Sequence, residues 1–163
     1  MAKILQIIPS LNQINGGVER GTLDVAKELI NIGFKSYILS SGGEMAEKYK
    51  YRGVEHHELN LRKKGIMNYF FLKKRFKDII NIINPDIIHI RSRWPAFCFN
   101  KIVKNLRIPL VTTYHGTYSG SNFFFKRKYN GFMTQGDKVI TISKFIDDHV
   151  RHYFPSVKSS LIQ

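Results

Sequence analysis

Short apolar runs alternate along the chain with longer stretches in which apolar residues recur every three or four positions. Runs such as "ILQII", "DIIHI" and "PLVTT" carry almost no charge, as expected of parallel strands covered on both faces. They predict strands over Lys3–Ile8, Lys35–Ser41, Val54–Leu59, Asp86–Ile90, Pro109–Tyr114 and Lys138–Ile142, with Ser160–Gln163 opening a seventh. Helical spacing fills the intervals. It runs from just after Gly17 to Gly33, then over Glu44–Tyr51, about Ile66–Ile83, Ala96–Leu106, Phe124–Thr134 and Lys144–Tyr153. Gly33 suits the position just past a helix end, and Asn84-Pro85 halts the long helix. This alternation predicts fold class α/β, a doubly wound and mostly parallel sheet. The whole of residues 1–163 reads as one domain, long enough for a sizeable core.

In open parallel sheets ligands bind at the carboxyl ends of the strands, and the polar residues collect there. The first strand runs toward Gly16 and Gly17, followed by a helix with Val18, Thr22, Val25, Ala26, Leu29 and Ile30 on its apolar stripe. A glycine pair before a helix is either a plain tight turn or a place where a phosphate approaches the helix N-terminus. The fourth strand ends in Arg91, Ser92 and Arg93, the fifth in Tyr114, His115 and Gly116, the sixth in Ser143. Together these residues describe a pocket for a polar, anionic ligand, and His115 is its sharpest candidate. His89 lies within an apolar run and is expected as a buried, hydrogen-bonded core residue. His56, His57, His149 and His152 have no metal-ligand spacing, so no metal site is predicted. The glycine loop lacks the order of nicotinamide-binding and P-loop motifs, and no nucleophile elbow is present.

Composition narrows the class further. Hydrophobic residues make up 43% of the chain and aromatics 13%, a globular composition. No apolar run approaches the roughly 20 residues that span a bilayer, and "MAKILQIIPSL" reads as a first strand, not a signal peptide. Cys98 is the only cysteine, so a disulfide framework is excluded and a cytoplasmic location is the default. The net charge of +14 predicts attraction to nucleic acid, anionic lipid or phosphorylated ligands. In the long helix Tyr69, Leu72, Phe76, Ile79, Ile80 and Ile83 form one stripe. Met67, Phe70 and Phe71 fall outside it, beside Lys63, Lys64, Lys73, Lys74 and Arg75. They either pack under the next loop or meet an anionic membrane surface.

Four segments in order, "GGVERGTLD", "RSRWPAF", "VTTYHGTY" and "KRKYNGFMTQGDKVITIS", resemble the N-terminal half of family-4 glycosyltransferases. The likeness leans toward the bacterial subgroup associated with lipopolysaccharide and other cell-envelope glycans. It implies a GT-B fold, in which two Rossmann-like domains face each other across a cleft. It further implies a retaining enzyme that takes sugar from a nucleotide-sugar, with no metal and no other cofactor. Gly16 and Gly17 would then approach the donor diphosphate, and His115 the transferring sugar. Arg91, Ser92, Arg93, Gly116, Tyr118, Lys126 and Ser143 become acceptor-side or sugar-side candidates; for Arg93 and Lys126 a solvated charge is an equal reading. The resemblance also implies a C-terminal donor-binding domain that this chain lacks, so transfer by the chain alone is not expected. The expected partners are a nucleotide-sugar, a glycan or lipid acceptor, that second domain and an anionic membrane surface. A basic nucleic-acid- or anion-binding module, or another Rossmann-like enzyme complete in one domain, remain as rivals, although no nucleic-acid-binding motif is present.

Overall fold

The computed structural model describes residues 1–12, 16–50 and 53–162. Seven strands appear among them: β1 (Lys3–Ile7), β2 (Lys35–Ser40), β3 (Glu55–Glu58), β4 (Ile87–Ile90), β5 (Leu110–Tyr114), β6 (Lys138–Thr141) and β7 (Ser159–Leu161). They alternate with α1 (Gly17–Asn31), α2 (Glu44–Lys50), α3 (Ile66–Ile83), α4 (Arg93–Asn105), α5 (Phe124–Asn130) and α6 (Lys144–Tyr153). The expected ends at Tyr51 and Gln163, and the loop at 13–15, lie outside the described residues.

All seven strands are parallel, in the order β3-β2-β1-β4-β5-β6-β7. The chain builds outward from β1 to β3, returns along α3, and lays β4 against the free side of β1. That reversal opens a crevice at the carboxyl ends of β1 and β4. The apolar strands divide their side chains between two cores. In β1, Leu5 and Ile7 join Phe76, Phe99, Ile146 and Val150 beneath α3, α4 and α6. Ile8, just past β1, joins Leu23, Ala26 and Val54 beneath α1 and α2. Gln6 points to this second side, where its Nε2 donates to the Thr22 carbonyl at 3.0 Å.

Of the stripe expected on α3, Leu72, Phe76, Ile79, Ile80 and Ile83 are buried and Tyr69 is half-buried. Phe76 stacks on Phe99 of α4, with ring centroids 3.9 Å apart. Each such side chain contributes roughly 1.5–3 kcal/mol by leaving water. Asn84 ends α3 in the left-handed region at φ 51°, and Gly33 follows α1 at φ 89°.

Two helix boundaries differ from expectation by three residues or more. α4 begins at Arg93, three residues before Ala96. Pro95 is tolerated because the first-turn amides of a helix have no intrahelical acceptor. α5 stops at Asn130 and continues as a 3₁₀ turn over Gly131–Thr134. The turn is held by the Thr112 hydroxyl donating to the Met133 carbonyl and by Asn100 Nδ2 donating to the Phe132 carbonyl, both at 2.7 Å.

Candidate functional site

A cleft of about 770 Å³ opens between α1 and the carboxyl ends of β4, β5 and β6. α1 supplies one wall through Gly17, Val18, Gly21 and Val25, one residue or one turn apart along the helix. The floor comes from strand ends: His89 of β4 with Arg91 just past it, and Thr113 of β5 with His115 just past it. Each is an i, i+2 pair, so strand alternation turns both members to the same face. Ile140, Ile142 and Ile162 close the far side with apolar surface.

Arg91 is 6% exposed, its amide donates to the Ile7 carbonyl, and its Nε has no partner among the described residues. No carboxylate pairs with it among the described residues. Burial lowers its pKa to about 10, so the guanidinium stays charged at neutral pH. A buried cation without a carboxylate is costly, and an incoming anion removes that cost.

The two histidines beside it are held neutral. Burial, then the Arg91 charge, takes His115 down to about 4. Burial also takes His89 well below its ordinary range, with Arg91 and His115 adding to the effect. His89 Nε2 lies 2.7 Å from Thr113 Oγ1. Nε2 of His115 is buried without a partner among the described residues, which leaves a neutral imidazole nitrogen for a hydroxyl. One fixed positive charge and one unengaged neutral imidazole can bind a phosphate and a sugar hydroxyl side by side.

Arg93 and Tyr118 stand behind this site and do not line the cleft. Burial raises the pKa of the Tyr118 hydroxyl, and the nearby backbone of His115 partly offsets that rise. The Arg93 guanidinium lies 4.2 Å from the Tyr118 ring centroid, a cation–π contact, and Nη1 donates to Asn130 Oδ1 at 2.9 Å. Asn130 in turn donates to Ser121 Oγ at 3.2 Å and to the Tyr118 carbonyl at 3.4 Å. Arg93 and Tyr118 therefore brace the segment that carries His115.

The remaining candidates are scattered. Gly17 lines the cleft, whereas Gly16 is the residue before α1, in extended backbone. A methyl built on Gly16 would lie 2.0 Å from Glu19 Oε2, so this carboxylate folds over the helix start. An anion approaching α1 meets Glu19, and the charge that favours it comes from Arg91. Ser92 precedes α4 without a side-chain capping bond, and Ser143 Oγ caps α6 by accepting from the Ile146 amide at 3.3 Å. No atom lies within 4 Å of where a Gly116 side chain would stand. Lys126 is exposed, its ammonium 5.6 Å from the Phe123 ring centroid. On α3, Met67, Phe70 and Phe71 are exposed, as is Lys74, while Lys73 Nζ donates to the Tyr69 hydroxyl at 3.3 Å. Sequence reasoning missed Gly21, Thr113 and Glu19, and placed His89 only in the core although it also lines the cleft. The i, i+2 and i, i+4 spacings from Arg91, His115 and Gly17 were the available signal. Among the described residues no group of three His, Cys, Asp or Glu is placed to hold a metal ion.

The seven-stranded parallel sheet, with its cleft between α1 and the strand ends, matches the N-terminal half of GT-B glycosyltransferases. The family model for Glycosyltransferase Family 4 matches residues 15–163, and the chain belongs to that family. A glycosyltransferase from Rickettsia africae ESF-5 superposes with TM-score 0.81 at 34% identity, over 99% of this chain and 42% of that one. HepE of Anabaena, solved with UDP and glucose, gives 0.75 at 15% identity over 99% and 44%. The sucrose-phosphate synthase of Thermosynechococcus elongatus gives 0.78 at 12% over 99% and 48%. The last two, at such identities, are alike in fold alone. The chain thus spans less than half the length of these neighbours. No curated protein matches it.

Proposed function

We propose that the chain is the acceptor-side half of a retaining glycosyltransferase, which moves a sugar from a nucleotide-sugar to a cell-envelope glycan or lipid-linked acceptor. The observation that carries this reading is Arg91, a buried guanidinium without a carboxylate partner among the described residues, beside the neutral His115 in one cleft. Arg91 meets the donor diphosphate, and Gly17 and Gly21 leave room for it against α1. His115 Nε2 holds a hydroxyl of the transferring sugar near the reacting carbon. The apolar wall of Ile140 and Ile142 excludes water from the bond that breaks. A second Rossmann-like domain, facing this cleft, supplies the remaining donor contacts, and the reaction takes place on the cytoplasmic side. No metal and no cofactor is assigned a part. HepE, of the same fold, was solved with UDP and with UDP-glucose, which supports a nucleotide-sugar as the ligand class.

The test is an amide chemical-shift titration of the chain with UDP and, separately, with inorganic pyrophosphate. Both should shift Gly17, Arg91 and His115, and Arg91→Met should abolish the response. Shifts confined to other surfaces, or a response that survives Arg91→Met, would overturn the assignment.

A further inference from the structure

α3 and α4 begin at the carboxyl edge of the sheet, the edge that also carries the cleft, because each follows a strand that ends there. That end of the molecule exposes far more apolar surface than the sequence expectation for α3 alone covers. On α3, Ile66 is 77% exposed, Met67 84% and Phe70 64%; on and just before α5, Phe123 is 67%, Phe124 64% and Phe125 83%. Single exposed apolar residues are ordinary, but a cluster on neighbouring elements marks a docking surface.

The cluster is continuous. Phe70 stands edge-on to Tyr69 at 5.3 Å between centroids, Tyr69 lies 5.3 Å from Phe97 of α4, and Phe97 lies 6.0 Å from Tyr129 of α5. Phe125 is one helical turn from Tyr129, on the same side of α5. An apolar groove of about 450 Å³ separates α3 from α4 at its centre, with Trp94 and Phe97 along one bank and Ile66 and Phe70 along the other.

Its charge is of one sign. No Asp or Glu occurs between Glu58 and Asp78, or between Asp86 and Asp137, the stretches that contain α4, α5 and residues 66–77 of α3. Lys63, Lys64 and Lys74 flank the α3 side, and Lys126, Arg127 and Lys128 the α5 side, all exposed. A protein partner is usually met by interspersed charges that set register. An apolar centre ringed only by cations matches a plane of phosphate headgroups over hydrocarbon.

We infer that this three-helix face docks on an anionic lipid bilayer and holds the mouth of the cleft at the membrane surface. The inference goes beyond the proposed reaction, since lipid binding needs no sugar transfer and is measured without it.

The experiment is co-sedimentation with vesicles of phosphatidylglycerol and phosphatidylcholine in equal parts, against phosphatidylcholine alone. Binding should require phosphatidylglycerol and weaken as salt rises. Phe70→Ser with Phe71→Ser, and separately Phe124→Ser with Phe125→Ser, should each lower the bound fraction about tenfold or more, with unchanged circular dichroism. No binding to the mixed vesicles would overturn the inference, as would loss confined to one of the two helices. A dimer in gel filtration, dissociated by the same substitutions and indifferent to vesicles, would make the face a contact between two copies and equally overturn it.

Discussion

Nε2 of His89 and Oγ1 of Thr113 lie 2.7 Å apart across β4 and β5, both buried at the floor of the cleft. The bond matters because His89 cannot take up a proton cheaply: burial excludes the charged ring, and Arg91 stands two residues away. Thr113 therefore partners a neutral imidazole.

Thr113→Val keeps the volume and removes that partner. The buried nitrogen would be left unsatisfied, at a cost of about 1–3 kcal/mol. Urea unfolding at pH 7.5 reads this directly. An unchanged midpoint would mean that water from the cleft replaces the hydroxyl.

Acid should weaken the fold in a defined window. His115 titrates at about 4 and His89 well below 6.5 in the folded chain, whereas unfolded histidine titrates near 6.5. Between roughly 6.5 and 4 the unfolded state binds more protons, so stability is full above the window and declines as pH falls through it. Asp147, held below its ordinary range chiefly by the Ser159 hydroxyl, carries the loss further below 3.8. Unfolding midpoints at pH 7.5 and 5 would measure the slope. His115→Gln should flatten it, and an unchanged slope would place its origin elsewhere.

The chain alone should bind nucleotide-sugars weakly, because in the proposed reading a second domain supplies the remaining donor contacts. Calorimetry with UDP- and GDP-sugars is expected to give affinities weaker than micromolar. Binding at micromolar or tighter would show that this half holds most of the donor contacts.

In the proposed two-domain enzyme, His115→Ala should lower kcat about 10²-fold or more, the scale of a positioned contact in the transition state. Its Tm should change little, since the residue sits at a cleft edge outside both hydrophobic cores. A variant that melts several degrees earlier yet turns over normally would make His115 structural.

Arg93→Met should act through His115 and not on substrate directly, because it removes both the Tyr118 contact and the Asn130 bond. A drop in kcat is expected, with KM for the donor little changed. A rise in KM alone would instead return Arg93 to substrate binding.

The sequence by itself determined the order of the elements, the buried stripe of α3 and the gathering of Arg91 and His115 on one edge. These follow from short-range rules: period two in strands, period 3.6 in helices, and the common carboxyl edge of a parallel sheet. It could not distinguish Arg91 from Arg93, two residues apart at the same strand end. Tertiary structure decided that difference, since Arg91 lies buried beneath α1 without a carboxylate partner among the described residues, while Arg93, in the first turn of α4, meets Tyr118 and Asn130. It likewise turned Ser143 into a helix cap, laid Glu19 over Gly16, and joined the exposed aromatics of three separate segments into one face. Burial and charge pairing depend on neighbours distant in the chain, and hydrophobic periodicity carries no record of which strand lies beside which.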